Sequence, residues 1–89
     1  MLKVVKKDGR IEDFISEKIK VSISNCADDV KLHFNQKELD IIAKEVEDII
    51  IKIRGKDGQT SAYEIRAVVT RVLRNMGYSK VAICFYEGK

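Results

Sequence analysis

The sequence predicts an α+β fold in which an N-terminal β-hairpin precedes four helices. Two short runs rich in Val, Ile and Phe flank an Asp-Gly pair near the N-terminus, which is a strong hairpin signal. Three later segments repeat apolar residues at helical spacing, and a shorter segment near the C-terminus does so too. Because 89 residues have room for one hydrophobic core, we expect a single domain over residues 1–89.

The hairpin is predicted from residues 2–7 and 10–14, with Asp8-Gly9 at the turn. A type I′ turn requires positive φ at both central residues, and Asp-Gly is a pair that tolerates this. An isolated two-stranded ribbon is marginally stable in water. The hairpin must therefore pack against another part of the molecule.

The first two helices have distinct start signals. The first is predicted from Ser16 as N-cap, with an apolar face made of Ile19, Ile23, Cys26, Ala27 and Val30. The second begins at Asn35, where Glu38 completes a variant of the capping box, and it ends at Gly55. Its apolar face consists of Leu39, Ile42, Ala43, Val46, Ile49, Ile50 and Ile53.

The third helix starts at Ser61, which forms a capping box with Glu64, and it stops at Gly77. Its apolar face is formed by Ile65, Val68, Val69, Val72, Leu73 and Met76. The fourth helix is predicted within residues 78–86 with Ser79 as a cap, and its apolar face is formed by Val81, Ala82 and Phe85. In the loop before the third helix, residues 59 and 60 predict a short strand beside the hairpin.

Composition excludes several classes of protein. A chain that is 45% hydrophobic and 35% charged can bury a core, which argues against intrinsic disorder. No apolar run approaches the roughly 20 residues of a membrane span, and the N-terminus has no apolar signal region, so we expect a cytoplasmic protein. Cys26 and Cys84 belong to no metal-binding motif, and we expect two buried thiols instead of a disulfide or a metal site.

The positive charge is concentrated at the N-terminus. The formal net charge is +3. Residues 1–10 contain a single acid, Asp8, and four cations: Lys3, Lys6, Lys7 and Arg10. We therefore expect an anion to bind at this end of the domain.

The same region carries the most specific motif of the chain. The segment VVKKDGRIEDF at residues 4–14, followed by Glu17-Lys18-Ile19, resembles the opening of the ATP-cone family. The resemblance continues through Thr-Ser before Glu64-Ile65, through Met76-Gly77-Tyr78, and through Val81-Ala82 to Phe85. It covers nearly the whole chain in order.

This resemblance implies a small bundle of four helices lidded by the hairpin and the short third strand, with nucleotide held between lid and helices. It also implies regulation of ribonucleotide reductases or of the repressors of their genes, with ATP or dATP as effector. The residues that it implies for the lid are Val4, Lys6, Lys7, Asp8 and Gly9, and it implies that Glu12 faces the base or sugar.

Elementary chemistry agrees with these assignments. A triphosphate needs several cations from different elements, and Lys6, Lys7 and Lys18 meet that need. The carboxylate of Glu12 can accept from the adenine amino group or a ribose hydroxyl, which favours adenine over guanine. The position of Thr60 just before the third helix is explained by a role in capping that helix. The functional alternative is that Thr60 contacts a phosphate. Mg²⁺ is compatible with the phosphates, but the sequence offers no dedicated cage of ligands for it.

The chain departs from the family at two positions. Lys7 stands where many members have Arg, and a lysine cannot make the bidentate contact of a guanidinium. Ile15 stands where some members have Asn or Asp, which removes one polar contact to the base. Both departures predict weaker affinity or weaker base selectivity.

Three functional classes follow from these observations. We expect no enzyme and no catalytic residues, because the sequence has no P-loop, catalytic triad or metal motif. The favoured interpretation is a regulatory adenine-nucleotide domain that forms a homo-oligomer or docks on a ribonucleotide reductase or regulator, either free-standing or as part of a larger protein. The alternative is a small basic DNA-binding or transcription-regulator module, although its cations are not gathered on one helix.

Overall fold

The computed structural model describes residues 1–87 of the chain. Along this part, the elements are β1 (Lys3–Val5), β2 (Ile11–Asp13), α1 (Ser16–Asp29), α2 (Gln36–Arg54), β3 (Gln59–Ser61), α3 (Ala62–Asn75) and α4 (Ser79–Tyr86). They confirm the predicted α+β class, with four helices, a hairpin and a short third strand. No helix among the described residues is long and apolar enough to cross a membrane.

The three strands form one sheet with β1 in the centre. Strand β1 pairs antiparallel with β2 and parallel with β3. Val4 lies opposite Glu12 on one side and opposite Thr60 on the other. Residues directly opposite each other project from the same face of a sheet. Val4 and Thr60 are buried, so this face is turned toward the helices, and it carries Glu12 inward with it.

The hairpin turn differs from the predicted type I′ turn. Gly9 has φ of 88°, whereas Asp8 does not adopt a positive φ. The amide of Gly9 donates to the carbonyl of Lys6 (3.0 Å), and the amide of Lys6 donates to the carbonyl of Arg10 (2.8 Å). The connection between Lys6 and Arg10 therefore spans three residues, a length that needs only one left-handed residue at its end. The prediction of positive φ at both Asp8 and Gly9 was wrong for this reason.

The predicted caps were correct where a side chain reaches a backbone amide. Asn35 and Glu38 form a complete capping box, and the hydroxyl of Ser61 accepts from the amide of Glu64 (3.1 Å). Ser16 and Ser79, predicted as caps, are instead the first residues of their helices. The preceding residues, Ile15 and Tyr78, take the cap positions without a side-chain bond, because each helix starts one residue earlier than its hydroxyl predicts.

The core lies between the sheet and the inner faces of the helices. Its fully buried residues include Ile23, Val46, Ile50, Val69 and Leu73. The sheet contributes Leu2 and Val4, and the chain after β2 contributes Phe14, so the hairpin packs against the bundle as expected. Further core side chains are Ile19, Cys26, Ala27, Phe34, Leu39, Ile42, Val68, Val72, Val81, Ala82 and Cys84.

Two residues of the predicted apolar faces lie outside this core. Ile53 is 58% exposed and Met76 is 39% exposed. Ile53 is in the last turn of α2, and Met76 follows the last residue of α3. Their helical spacing is right, but the neighbouring elements leave both side chains partly open to solvent.

One glycine in the loop between α2 and β3 has a steric role. A Cβ atom added at Gly58 would lie 2.0 Å from the carbonyl oxygen of Arg54, so a larger residue does not fit. The carbonyl of Gly58 accepts from the amide of Lys3 (3.0 Å). This close approach holds the loop against the start of β1 and brings β3 beside it.

Candidate functional site

A cleft of about 220 Å³ lies between the sheet and helices α1, α3 and α4. The sheet and the segment after it contribute Val4, Lys6, Glu12, Asp13, Phe14 and Ile15; the helices contribute Lys18, Ile19, Ser22, Ala62, Ile65, Arg66 and Phe85. Typical ligand pockets measure roughly 300–1,000 Å³. The cleft can therefore enclose part of a nucleotide-sized ligand, with the rest lying along the surface.

Four of the residues predicted from the sequence meet in this cleft. Val4, Lys6 and Glu12 come from the sheet and the end of β1, and Lys18 comes from the first turn of α1. The extended backbone at Ile15 places the start of α1 directly after β2, which explains why Lys18 lies near Glu12. Two positively charged side chains from separate elements thus line one cleft.

Glu12 lies at the centre of a cluster of cations. Its Oε1 atom is 3.7 Å from Nζ of Lys6 and 3.8 Å from Nζ of Lys18, and its Oε2 atom is 3.8 Å from Nη1 of Arg10. These distances exceed the 2.7–3.2 Å of a close hydrogen bond. The carboxylate partly neutralises three cations without engaging their donors in close hydrogen bonds.

The remaining predicted residues lie outside the cleft lining. Nζ of Lys7 is 5.6 Å from the centroid of the Tyr63 ring, within the range of a cation–π contact. Asp8 accepts from the backbone amide and Nε of Arg10 (3.1 and 2.7 Å), and Gly9 supplies the left-handed backbone of the turn. All three belong to the hairpin turn at the edge of the sheet.

Thr60 is part of a hydrogen-bonded group that joins β3 to the helices. Its buried hydroxyl donates to Oε1 of Glu64 (2.6 Å), and Nη2 of Arg54 donates to Oε2 of the same carboxylate (2.8 Å). The Arg54 guanidinium and then the Thr60 hydroxyl hold the pKa of Glu64 below its usual value. Glu64 therefore does not complete the second half of the capping box with Ser61, because its carboxylate is engaged by Thr60 and Arg54.

Arg66 and Phe85 are among the cleft residues that were not singled out as site residues from the sequence. Arg66 is a half-buried cation on α3, and Phe85 is a half-buried aromatic side chain on α4. Arg66 directly follows Ile65 of the apolar face. Its position at the border of that face is the one sequence feature that could have identified it as a site residue. Phe85 was predicted only as a packing residue. Ile15, noted as a departure from the family, does line the cleft.

Asp13 also lines the cleft, but its charge is already paired. Lys3 lies opposite Asp13 in the β1–β2 register, and its ammonium group donates to Oδ1. This hydrogen bond holds the pKa of the Asp13 carboxyl below its usual value. No group of three or more His, Cys, Asp or Glu residues within positions 1–87 is arranged to hold a metal ion.

Comparison with known proteins agrees with the geometry. The family model described as the ATP cone domain matches residues 2–83, nearly the whole chain. A search of curated proteins found no match. ATP-cone domains are regulatory, not catalytic, and bind ATP or dATP as an effector. The match, together with the four helices and the three-stranded sheet, shows that the chain belongs to the ATP-cone family of regulatory nucleotide-binding domains.

Proposed function

We propose that this domain binds ATP or dATP in the cleft between the sheet and helices α1, α3 and α4, and that a protein partner reads its nucleotide state. The observation that carries the proposal is the meeting of Lys6 and Lys18 around Glu12. A triphosphate is bound best by cations that converge from different elements and donate charge-assisted hydrogen bonds. Arg66, on α3, adds a further cation to the cleft lining.

The triphosphate is assigned to the end of the cleft near the hairpin turn. Lys6 and Lys18 have only long contacts to Glu12, and exposed ion pairs of this kind contribute little stability. Their ammonium groups can therefore turn toward a phosphate at small cost. Lys7 is assigned to the same phosphates, reached by moving off Tyr63. The rest of the lid comprises Val4, Asp8, Gly9 and Thr60.

The base is assigned to the apolar part of the cleft. Ile15, Ile65 and Phe85 offer apolar surface on which an adenine ring can pack. Glu12 then accepts from the adenine amino group or a ribose hydroxyl. Because Ile15 cannot hydrogen-bond the base, selection against guanine depends more heavily on Glu12. Any Mg²⁺ would take its ligands from the phosphates and water.

The signal is assigned to the helices. A domain that binds an effector acts by changing how it packs against a partner, either a second copy, a ribonucleotide reductase or a regulator of its genes. Ile41 on α2 is 53% exposed on the side away from the core, and it offers an apolar contact for such packing. Ile51 on the same helix is partly buried against the core.

Calorimetric titration with ATP, dATP, GTP and CTP tests the proposal. We expect adenine nucleotides to bind most tightly, and binding to weaken as salt rises because the attraction is largely ionic. The double substitution Lys6→Ala and Lys18→Ala should weaken ATP binding at least about tenfold, since each lysine contributes a charged hydrogen bond. The matched control is Lys37→Ala with Lys52→Ala, which removes two exposed lysines of α2 outside the cleft. If the first pair changed affinity by no more than about twofold, or both pairs changed it equally, the assignment would be wrong.

A further inference from the structure

Two cysteines meet where α1 packs against α4. Cys26 on α1 is fully buried, and Cys84 on α4 is 7% exposed. The Sγ atom of Cys84 lies 2.7 Å from that of Cys26, and no disulfide joins them. The two sulfurs are therefore direct neighbours, within reach of a disulfide bond, which is about 2.05 Å long.

The two thiols differ in how a small molecule can reach them. Cys84 lines a surface cleft of about 430 Å³ together with Asp29, Lys80 and Glu87. Cys26 is covered on all sides. A small oxidant therefore reaches Cys84 first, and Cys26 is positioned behind it to attack the oxidised sulfur.

We propose that Cys26 and Cys84 form a reversible disulfide in the presence of a low-molecular-weight disulfide such as oxidised glutathione. The thiolate of Cys84 attacks one sulfur of oxidised glutathione, forms a mixed disulfide and releases one glutathione. The thiolate of Cys26 then attacks the Cys84 sulfur, forms the intramolecular bond and releases the second glutathione. Each cysteine gives its proton to solvent, and the two electrons reduce one oxidised glutathione to two thiols.

The bond would join α1 to α4, the shortest of the four described helices. Helix α4 has eight residues and no side-chain cap at its start. The two cysteines are 58 positions apart, and a disulfide that closes a long loop restricts the unfolded chain strongly. We expect the melting temperature to rise by roughly 10 °C or more. Phe85 is next to Cys84 and lines the proposed nucleotide cleft, so forming the disulfide should also change nucleotide binding. This last effect alone rests on the proposed function.

The test treats the full chain with oxidised glutathione at mildly alkaline pH, followed by alkylation after unfolding and intact mass measurement. We expect a monomer that has lost two hydrogens and takes up no alkylating agent, with a higher melting temperature, all reversed by dithiothreitol. Cys26→Ala is the matched control and should keep one glutathione on Cys84. Because that variant loses a core side chain, the result on the natural sequence decides. Alkylation of both thiols, a persistent glutathione adduct or a disulfide-linked dimer would overturn the proposal, whether or not nucleotide binds.

Discussion

Glu12 provides the sharpest test of how the cleft selects its ligand. Its carboxylate lies 3.7–3.8 Å from the cationic groups of Lys6, Lys18 and Arg10. A phosphate oxygen bound to one of these lysines at about 2.8 Å would then be on the order of 6 Å from the carboxylate. Substitution Glu12→Gln removes this repulsion and keeps the shape of the side chain.

The expected magnitudes follow from these distances. Two unit charges about 6 Å apart repel by ~0.7 kcal/mol in bulk water and by more where solvent is partly excluded. The substitution should therefore tighten binding of inorganic tripolyphosphate by roughly threefold or more. A charged hydrogen bond to the base contributes about 1.5–3 kcal/mol. Since a neutral amide can present a donor or an acceptor, the ratio of ATP to GTP affinity should fall by about tenfold or more.

The assay is calorimetric titration of ATP, GTP and tripolyphosphate into both proteins at one fixed salt concentration. Glu45→Gln is the matched control, because it makes the same charge change on an exposed position of α2. We expect the control to leave all three affinities close to those of the natural sequence. An equal loss of ATP and GTP binding in Glu12→Gln would make Glu12 a structural residue. If Glu12→Gln and Glu45→Gln tightened tripolyphosphate binding equally, the cause would be the change in net charge and not the position of Glu12.

Three further predictions concern stability and assembly. The pKa of Glu64 is lower in the folded than in the unfolded protein. Its ionised carboxylate therefore stabilises the fold fully above the pKa of the unfolded state, and this stabilisation is lost as the pH falls through the pKa of the folded state. Glu64→Gln should lower the melting temperature at neutral pH by about 4–8 °C. It should also make the melting temperature fall less steeply as the pH is lowered, and an unchanged pH dependence would contradict this. Ile50→Ala should cost about 2–5 kcal/mol of unfolding free energy, and Ile53→Ala less than about 0.5 kcal/mol, in urea denaturation. Equal losses would mean that Ile53 is covered in solution. In sedimentation with and without ATP or dATP, we expect a nucleotide-dependent mass that Ile41→Glu abolishes, and a monomer under every condition would leave only docking to another protein.

Much of the fold was predictable because its signals are local. The apolar spacing of α2 and α3, the capping box at Asn35 and the glycine at position 55 each act within a few residues. The errors arose where a neighbouring element decides. Whether Ile53 and Met76 are buried depends on how other elements pack over them, which their own spacing does not reveal. The turn type depended on where strand pairing stops, and that is set by the register between β1 and β2.

The cleft was predictable only in part for the same reason. Lys6, Glu12 and Lys18 were found because they belong to one continuous motif near the N-terminus. Arg66 and Phe85 come from helices that are distant in sequence, and only tertiary packing brings them to the same cleft. The Thr60 hydroxyl could serve the helix start or a phosphate. Its bond to Glu64 in the structure depends on Arg54, a partner that the local sequence does not reveal.

The position of Glu12 also bears on why such a site would suit a sensor. A cluster of Lys6, Lys18 and Arg10 without a counter-charge would repel itself when no nucleotide is bound, and the carboxylate offsets that repulsion. Under the proposed function, the same carboxylate would weaken phosphate binding and favour adenine, so it would exchange affinity for base selectivity. A sensor responds only if its occupancy changes over the working range of effector concentration, which very tight binding would prevent. With the proposed function, a half-buried acid among the phosphate-binding cations is therefore an expected feature of this cleft, and its removal should yield a tighter but less discriminating site.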